Sequence, residues 1–96
     1  MHTKGDNKDM KDFEWNEEKN NWLKSHRDIS FEEIVFYIEN DGLIDTYKHP
    51  DEEKYPRQSI FVVRTDTYVY IVPDVEEDNY FFLKTIIPDR KGGRWK

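Results

Sequence analysis

The sequence predicts an α+β domain in which two N-terminal helices pack on a small antiparallel sheet of three to four strands. Helix caps and helical spacing are confined to the first half of the chain, whereas β-branched and aromatic runs fill the second half. Helices and strands kept apart in this way are typical of α+β folds. The 96 residues suit one domain, and an aromatic share of 16% offsets a hydrophobic content of only 35%.

The first helix is expected over residues 17–26. Asn16 is a favourable N-cap, and Glu17 and Glu18 place negative charge in the first turn, where the helix dipole favours it. Asp28 is expected to lie just beyond the end of this helix.

The second helix has the clearest pattern. Ser30 and Glu33 have the spacing of a capping box, and Ile29 and Ile34 that of a hydrophobic staple. Gly42 is expected to end the helix in the left-handed conformation. One apolar face is formed at helical spacing by Phe31, Ile34, Val35 and Ile38.

The strands are expected on both sides of these helices. Alternation of Phe13 and Trp15 with charged residues indicates a short edge strand. A strand is expected at 43–47, and residues 59–64 and 68–72 should form a hairpin whose turn depends on Asp66. Residues 80–87, apolar on both faces, predict a central strand that Pro88 ends.

Charge is distributed unevenly along the chain. Residues 1–83 contain 10 basic and 20 acidic side chains, a net of −10, whereas residues 84–96 have a net of +4, within a total of −6. Local potential governs phosphate contacts more than total charge does. The basic end therefore suits an anionic ligand, although a solubilising tail explains it equally well.

The ends of the chain and its composition exclude several classes. Residues 1–11 are expected to be a disordered segment, 12–91 the folded domain and 92–96 a flexible basic tail. The chain has no cysteine, its histidines lack metal-ligand spacing, and no apolar run approaches the roughly 20 residues of a membrane helix. We therefore expect a cytoplasmic protein without a metal or other cofactor and without membrane association.

Two sequence blocks resemble a known family. One block runs from Phe13 through Glu14-Trp15-Asn16-Glu17-Glu18-Lys19, Leu23 and His26 to Ser30-Phe31-Glu32-Glu33, and the other is Ile86-Ile87-Pro88-Asp89-Arg90-Lys91. Together they resemble the opening and closing motifs of BrnT toxins, whose fold is similar to RelE. The resemblance implies the toxin of a type II toxin–antitoxin pair: a ribonuclease that blocks translation, acts on RNA and is held in a hetero-oligomer by an antitoxin of ribbon-helix-helix type.

Metal-free RNA cleavage requires a proton-transfer group and cations that offset charge on the phosphate. His26 is the expected acid or base because histidine changes protonation near neutral pH, although it could instead cap the first helix. Arg90 is the expected phosphate clamp because a guanidinium binds phosphate oxygens as a fork, although it could be an ordinary surface arginine. Lys84 is a supporting catalytic cation.

Other side chains are expected to bind RNA, each with a structural alternative. Trp15 could stack on a base or pack beside the first helix. Lys19 could bind phosphate or form a helix salt bridge. Arg64 could bind phosphate or pair with a side chain across the strands. Lys91 belongs to the basic end of the chain.

A different class of function is also compatible with the sequence. The acidic balance over residues 1–83 is unusual for a ribonuclease, so the same fold could be a non-catalytic module that engages only a partner protein. The acidic surface could equally be the place where a basic antitoxin segment docks.

Overall fold

A computed structural model describes residues 11–89. Its elements are, in chain order, β1 (Asp12–Trp15), α1 (Glu17–His26), α2 (Phe31–Glu39), β2 (Leu43–Lys48), β3 (Gln58–Arg64), β4 (Val69–Glu76), β5 (Tyr80–Leu83) and β6 (Ile87–Pro88). The α+β class and both helices are confirmed. Residues 1–10 and 90–96 lie outside the described residues, and they include all but Lys11 of the predicted segment 1–11 and the whole predicted tail 92–96.

Both helices begin at the predicted caps. The Asn16 side chain accepts a hydrogen bond from the backbone N–H of Lys19, at 2.9 Å. The Ser30 hydroxyl accepts from the Glu33 N–H, and the Glu33 carboxylate accepts in return from the Ser30 N–H, so the capping box is complete. These bonds satisfy N–H groups that the first turn of a helix leaves without partners.

The sheet is larger than predicted and is mixed rather than antiparallel. Six strands are described, in the order β1-β5-β4-β3-β2, with β6 pairing β4 beside β5. The chain pairs β1 with β5 in parallel, Phe13 lying opposite Phe81, whereas the other pairs are antiparallel. The prediction of three to four antiparallel strands was therefore wrong in number and in direction.

The predicted central strand 80–87 is divided into β5 and β6. β4 continues through Pro73 to Glu76, so one long strand pairs with β5 near its end and with β6 near its start. Pro73 lies between these two partners, where its carbonyl accepts from the Lys84 N–H. Proline has no N–H to donate to a neighbouring strand. It is tolerated inside β4 because position 73 lies at the gap between β5 and β6, where no such bond is needed.

The hairpin turn between β3 and β4 depends on Thr65 instead of Asp66. The Thr65 hydroxyl accepts from the backbone N–H groups of Thr67 and Tyr68 and donates to the Tyr68 carbonyl, at 3.0–3.2 Å. A threonine hydroxyl can replace the expected aspartate because it bonds nearby backbone groups in the same way.

The end of α2 uses Asp41 and Gly42 in different ways. Asp41, not Gly42, takes the left-handed conformation, with φ of 71°. Gly42 is needed for space: an added Cβ would lie 2.6 Å from the Tyr37 carbonyl oxygen and 2.7 Å from that of Arg64. The predicted left-handed cap was therefore one residue too late.

We expect Gly42→Ala to lower the free energy of unfolding by about 2 kcal/mol, in the range found for overpacked sites. The new methyl group would meet two backbone oxygens and the Tyr37 Cβ, at 2.9 Å, none of which is the end of a flexible side chain, so α2 and β3 would have to separate. Urea unfolding measures the effect. Asp41→Gly is the matched control, and it should be neutral or stabilising because glycine adopts a positive φ without strain. Equal loss in both variants would contradict this explanation.

Both helices pack on one face of the sheet. The buried core joins Leu23, Phe31, Ile34 and Ile38 of the helices to strand residues whose side chains point to that face, including Phe61, Val63, Val72 and Leu83. Among residues 11–89, no helix or strand packs on the opposite face. The described domain is therefore a two-layer structure.

Polar groups also enter the helix side of the sheet. Ser59 and Asp74 lie opposite each other on β3 and β4, and the buried Ser59 hydroxyl donates to the Asp74 carboxylate.

Lys11 is predicted in the terminal segment, but its ammonium donates to the Glu76 carboxylate at 2.8 Å and to the Glu77 carbonyl. Lys11 therefore belongs to the folded domain.

Candidate functional site

An open cleft of about 510 Å³ lies where the end of α1 meets the start of β4. His26 and Arg27 line it from the helix end, Tyr68 and Tyr70 from the hairpin and β4, and Pro88 from β6. The cleft thus combines an imidazole, a guanidinium and two phenols. These groups can transfer protons, bind anions and stack on flat rings.

The imidazole of His26 has a fixed orientation. Its Nδ1 lies 3.0 Å from the Trp22 carbonyl oxygen, which can only accept, so Nδ1 carries the proton of this bond. Its ring also stacks on the Trp22 indole, with centroids 4.5 Å apart. In the neutral ring, Nε2 is then the nitrogen that can accept a proton.

The guanidinium of Arg27 is held beside this imidazole. Its Nη1 donates to the Ile86 carbonyl at 2.6 Å, and its central carbon lies 5.2 Å from the Trp22 ring centroid. A guanidinium has five N–H donors, so this tether leaves others for an anion in the cleft. Arg27 has the chemistry that the sequence-based hypothesis assigned to Arg90.

The two tyrosines supply hydroxyl groups and flat rings. Burial raises the pKa of the Tyr70 hydroxyl, and the carboxylates of Glu33 and Asp28 and the neighbouring Tyr68 add to the shift. Tyr70 therefore stays protonated at neutral pH and acts as a hydrogen-bond donor. The Tyr68 and Tyr70 rings are 5.5 Å apart and tilted by 55°.

The other predicted site residues are distributed over the domain. Lys19 lies on the same helix as His26, seven residues earlier, with its ammonium 4.5 Å from the Trp22 centroid, and it does not line the cleft. Lys84 is exposed in the connection between β5 and β6, and it does not line the cleft. Arg64 is exposed at the end of β3, on the same face as Ile60 and Val62 and thus opposite to the helices.

Trp15 is held by contacts within the domain. Its indole stacks on buried Phe31 with centroids 5.6 Å apart, and its N–H donates to the Glu17 carboxylate at 3.0 Å. These contacts favour the packing interpretation over base stacking. Arg90 and Lys91 lie outside the described residues, although the chain passes the cleft at Pro88, two residues before Arg90.

Sequence reasoning missed Arg27, Tyr68 and Tyr70. Arg27 follows His26 directly and could have been proposed as its cationic neighbour. The tyrosines resembled ordinary strand residues, because alternating aromatic residues are common in strands. The pairing of β4 with β6 sets Tyr70 opposite Pro88, and both residues line the cleft together with Tyr68 and the end of α1.

Within residues 11–89, no group of three His, Asp or Glu side chains is placed to hold a metal ion. None of the helices described there is long and apolar enough to cross a bilayer.

Comparison with known proteins provides no match: no family model, no curated protein and no solved structure is significantly similar to this chain. The resemblance to BrnT toxins therefore rests on the two sequence blocks alone.

Proposed function

We propose that the protein is a metal-independent endoribonuclease, the toxin of a type II toxin–antitoxin pair, with its active site in the cleft beside His26. The observation that carries the proposal is the close placement of the imidazole, the tethered guanidinium and two phenols in one open cleft. No metal is required for RNA cleavage by attack of a 2′-hydroxyl on the neighbouring phosphate.

Each cleft residue has a role in this reaction. Nε2 of His26 takes the proton of the 2′-hydroxyl, since Nδ1 is bound to the Trp22 carbonyl. Arg27 offsets the charge that grows on the phosphate oxygens. The neutral Tyr70 hydroxyl donates to the phosphate or to the leaving oxygen, and the Tyr68 ring stacks on a base. Arg90, Lys84 and Lys91 add positive charge from the end of the chain.

The proposal includes the biological setting that the BrnT resemblance implies. The enzyme has a RelE-like arrangement, acts in the cytoplasm on RNA and is silenced in a hetero-oligomer by an antitoxin of ribbon-helix-helix type. The acidic surface of the chain suits a basic segment of that antitoxin, since opposite charges favour the encounter.

Induced expression of this chain in a bacterial host tests the proposed function, with growth and RNA integrity followed together. We expect growth arrest with RNA breakdown. With purified protein, cleavage should persist in excess chelator and should stop when the nucleotide 5′ of the cut carries a 2′-deoxyribose. Normal growth with intact RNA at good expression would contradict the proposal. Retained toxicity of a well-expressed His26→Ala, Arg90→Ala double variant would contradict the site assignment.

A second function is favoured by a specific observation. The sheet face opposite the helices is apolar and has acidic residues at its edges, which suits a non-catalytic module that engages a partner protein. The induced-expression experiment separates the two functions, because a binding module should leave RNA intact.

A further inference from the structure

The sheet face opposite the helices is a second surface with its own chemistry. Strand side chains alternate between the two faces, and most of the residues that alternate with the core positions in the middle of β3, β4 and β5 are also apolar. The apolar face, as we call it, is formed by Ile60, Val62, Ile71, Val75, Phe82 and Ile87.

These side chains form a continuous surface across the middle of the sheet. Val62 lies opposite Ile71, and Ile71 lies opposite Ile87, so three strands contribute one apolar row. Val75 lies opposite Phe82 farther along β4. None of the six belongs to the buried core: Ile87 is 40% exposed, and the other five are partly exposed. A contiguous exposed apolar surface commonly marks an interaction site.

Acidic residues lie at both edges of the apolar face. On β1, Asp12 and Glu14 are exposed and pair with Tyr80 and Phe82 of β5. On β2, Asp45 is exposed opposite Val62, and the Tyr47 hydroxyl donates to its carboxylate at 2.8 Å. Among the strand residues that the structure describes, the charged side chains that register places on this face are the carboxylates of Asp12, Glu14 and Asp45 and the guanidinium of Arg64. Lys84, two residues after Phe82 and bonded through its N–H to the Pro73 carbonyl, adds an exposed cation just beyond the end of β5.

We propose that the apolar face binds an amphipathic helix of a partner protein, with an apolar stripe flanked by lysine or arginine. The stripe would lie over the Val62–Ile71–Ile87 row, and the flanking cations would reach the carboxylates at the two sheet edges. An amphipathic helix laid on an apolar surface is a common mode of recognition. A second copy of this chain fits poorly, because a twofold contact would bring carboxylate edges of the same sign together.

This surface is independent of the cleft. Tyr70 points to the helix side of β4, whereas Ile71, the next residue, points to the apolar face. A partner on the apolar face therefore leaves His26 and Arg27 accessible. The inference goes beyond the proposed ribonuclease, and peptide binding and RNA cleavage are separate measurements.

Calorimetric titration with two synthetic helical peptides tests the proposal. One peptide contains leucine at helical spacing with lysine at all other positions, and the other has glutamate in place of lysine. We expect the lysine peptide alone to bind. The double variant Glu14→Lys, Asp45→Lys should weaken that binding about tenfold, as expected when about 1.4 kcal/mol of edge attraction is lost. The matched control Glu18→Lys, Glu39→Lys changes net charge equally on the helices and should bind as the parent protein does.

The contribution of the apolar side chains to peptide binding is tested with a second variant and its matched control. Ile87→Ser removes an exposed apolar side chain from the face, whereas Phe36→Ser removes one that is 57% exposed on α2. Only Ile87→Ser should weaken peptide binding. No binding of the lysine peptide, or equal weakening by the face variants and their controls, would overturn the proposal. A dimer in sedimentation that dissociates in Ile87→Ser would also overturn it, because a second copy would then be the occupant.

Discussion

Replacing Asp74 with asparagine is expected to stabilise the protein by about 2 kcal/mol at neutral pH. Asp74 is 1% exposed on the helix side of β4, and its carboxylate accepts from the Ser59 hydroxyl at 2.5 and 3.0 Å. Burial raises the pKa of Asp74 to about 6, and Glu76 adds to the shift, against the opposing effects of Ser59 and Lys48. The ionised form is therefore costly in the folded state.

The direction of the pH dependence follows from this raised pKa. An unfolded aspartate has a pKa of about 3.9. Asp74 therefore contributes its full stability below about pH 4 and loses it as pH rises through about 6, a change of about 3 kcal/mol. Asparagine cannot ionise and its amide oxygen can keep the Ser59 bond. Its NH₂ group needs an acceptor, which reduces the expected gain by about 1 kcal/mol.

Urea unfolding from pH 4 to pH 8 measures this prediction. At pH 4, the unfolding free energy of Asp74→Asn should equal or fall below that of the parent protein. As pH rises towards 8, it should exceed that of the parent protein by a growing amount. Asp12→Asn, at an exposed position, is the control and should show no such rise. Destabilisation by Asp74→Asn at every pH would show that the ionised carboxylate is needed in the fold.

The helices were predictable because their determinants are local. Ser30 and Glu33 are three residues apart, and both halves of their capping box depend only on the first turn of α2. Asn16 caps α1 in the same way. Such bonds form wherever the segment is helical, so they can be predicted from the sequence without knowledge of the tertiary fold.

The sheet was less predictable because its pairing depends on distant segments. The pairing of β1 with β5 joins residues 12–15 to residues 80–83, and nothing in either segment specifies a parallel neighbour. Pro73 by itself predicts the end of a strand. However, β4 continues through Pro73, because two different strands, β5 and β6, pair with β4 on the same side. Such exceptions to local rules become visible only with the neighbouring strands in place.

The candidate site was predictable in part for the same reason. His26 is identifiable because few residues transfer protons near neutral pH. Arg27 becomes a plausible phosphate ligand only through its bond to the Ile86 carbonyl, from a residue 59 positions away. Tyr70 joins the site through the pairing of β4 with β6. The sequence thus indicates the reactive group, whereas its partners depend on the tertiary structure.

Loss of the His26 imidazole is expected to lower the rate of RNA cleavage about 10²–10⁴-fold, the usual contribution of a general acid or base. His26 is exposed, so His26→Ala should leave the unfolding free energy nearly unchanged. Single-turnover cleavage of a defined RNA measures the rate, and urea unfolding checks the fold. Lys24→Ala, at an exposed lysine on the same helix, is the matched control and should keep full activity.

The pH profile distinguishes proton transfer from a positional role of His26. If Nε2 accepts the 2′-hydroxyl proton, the rate of cleavage by the parent protein should rise with pH and then level off, as expected for general-base catalysis. His26→Ala should lack this rise, whereas Arg27→Lys should keep its shape at a lower rate because lysine cannot form the same fork with phosphate. An unchanged profile in His26→Ala would exclude the imidazole as the base.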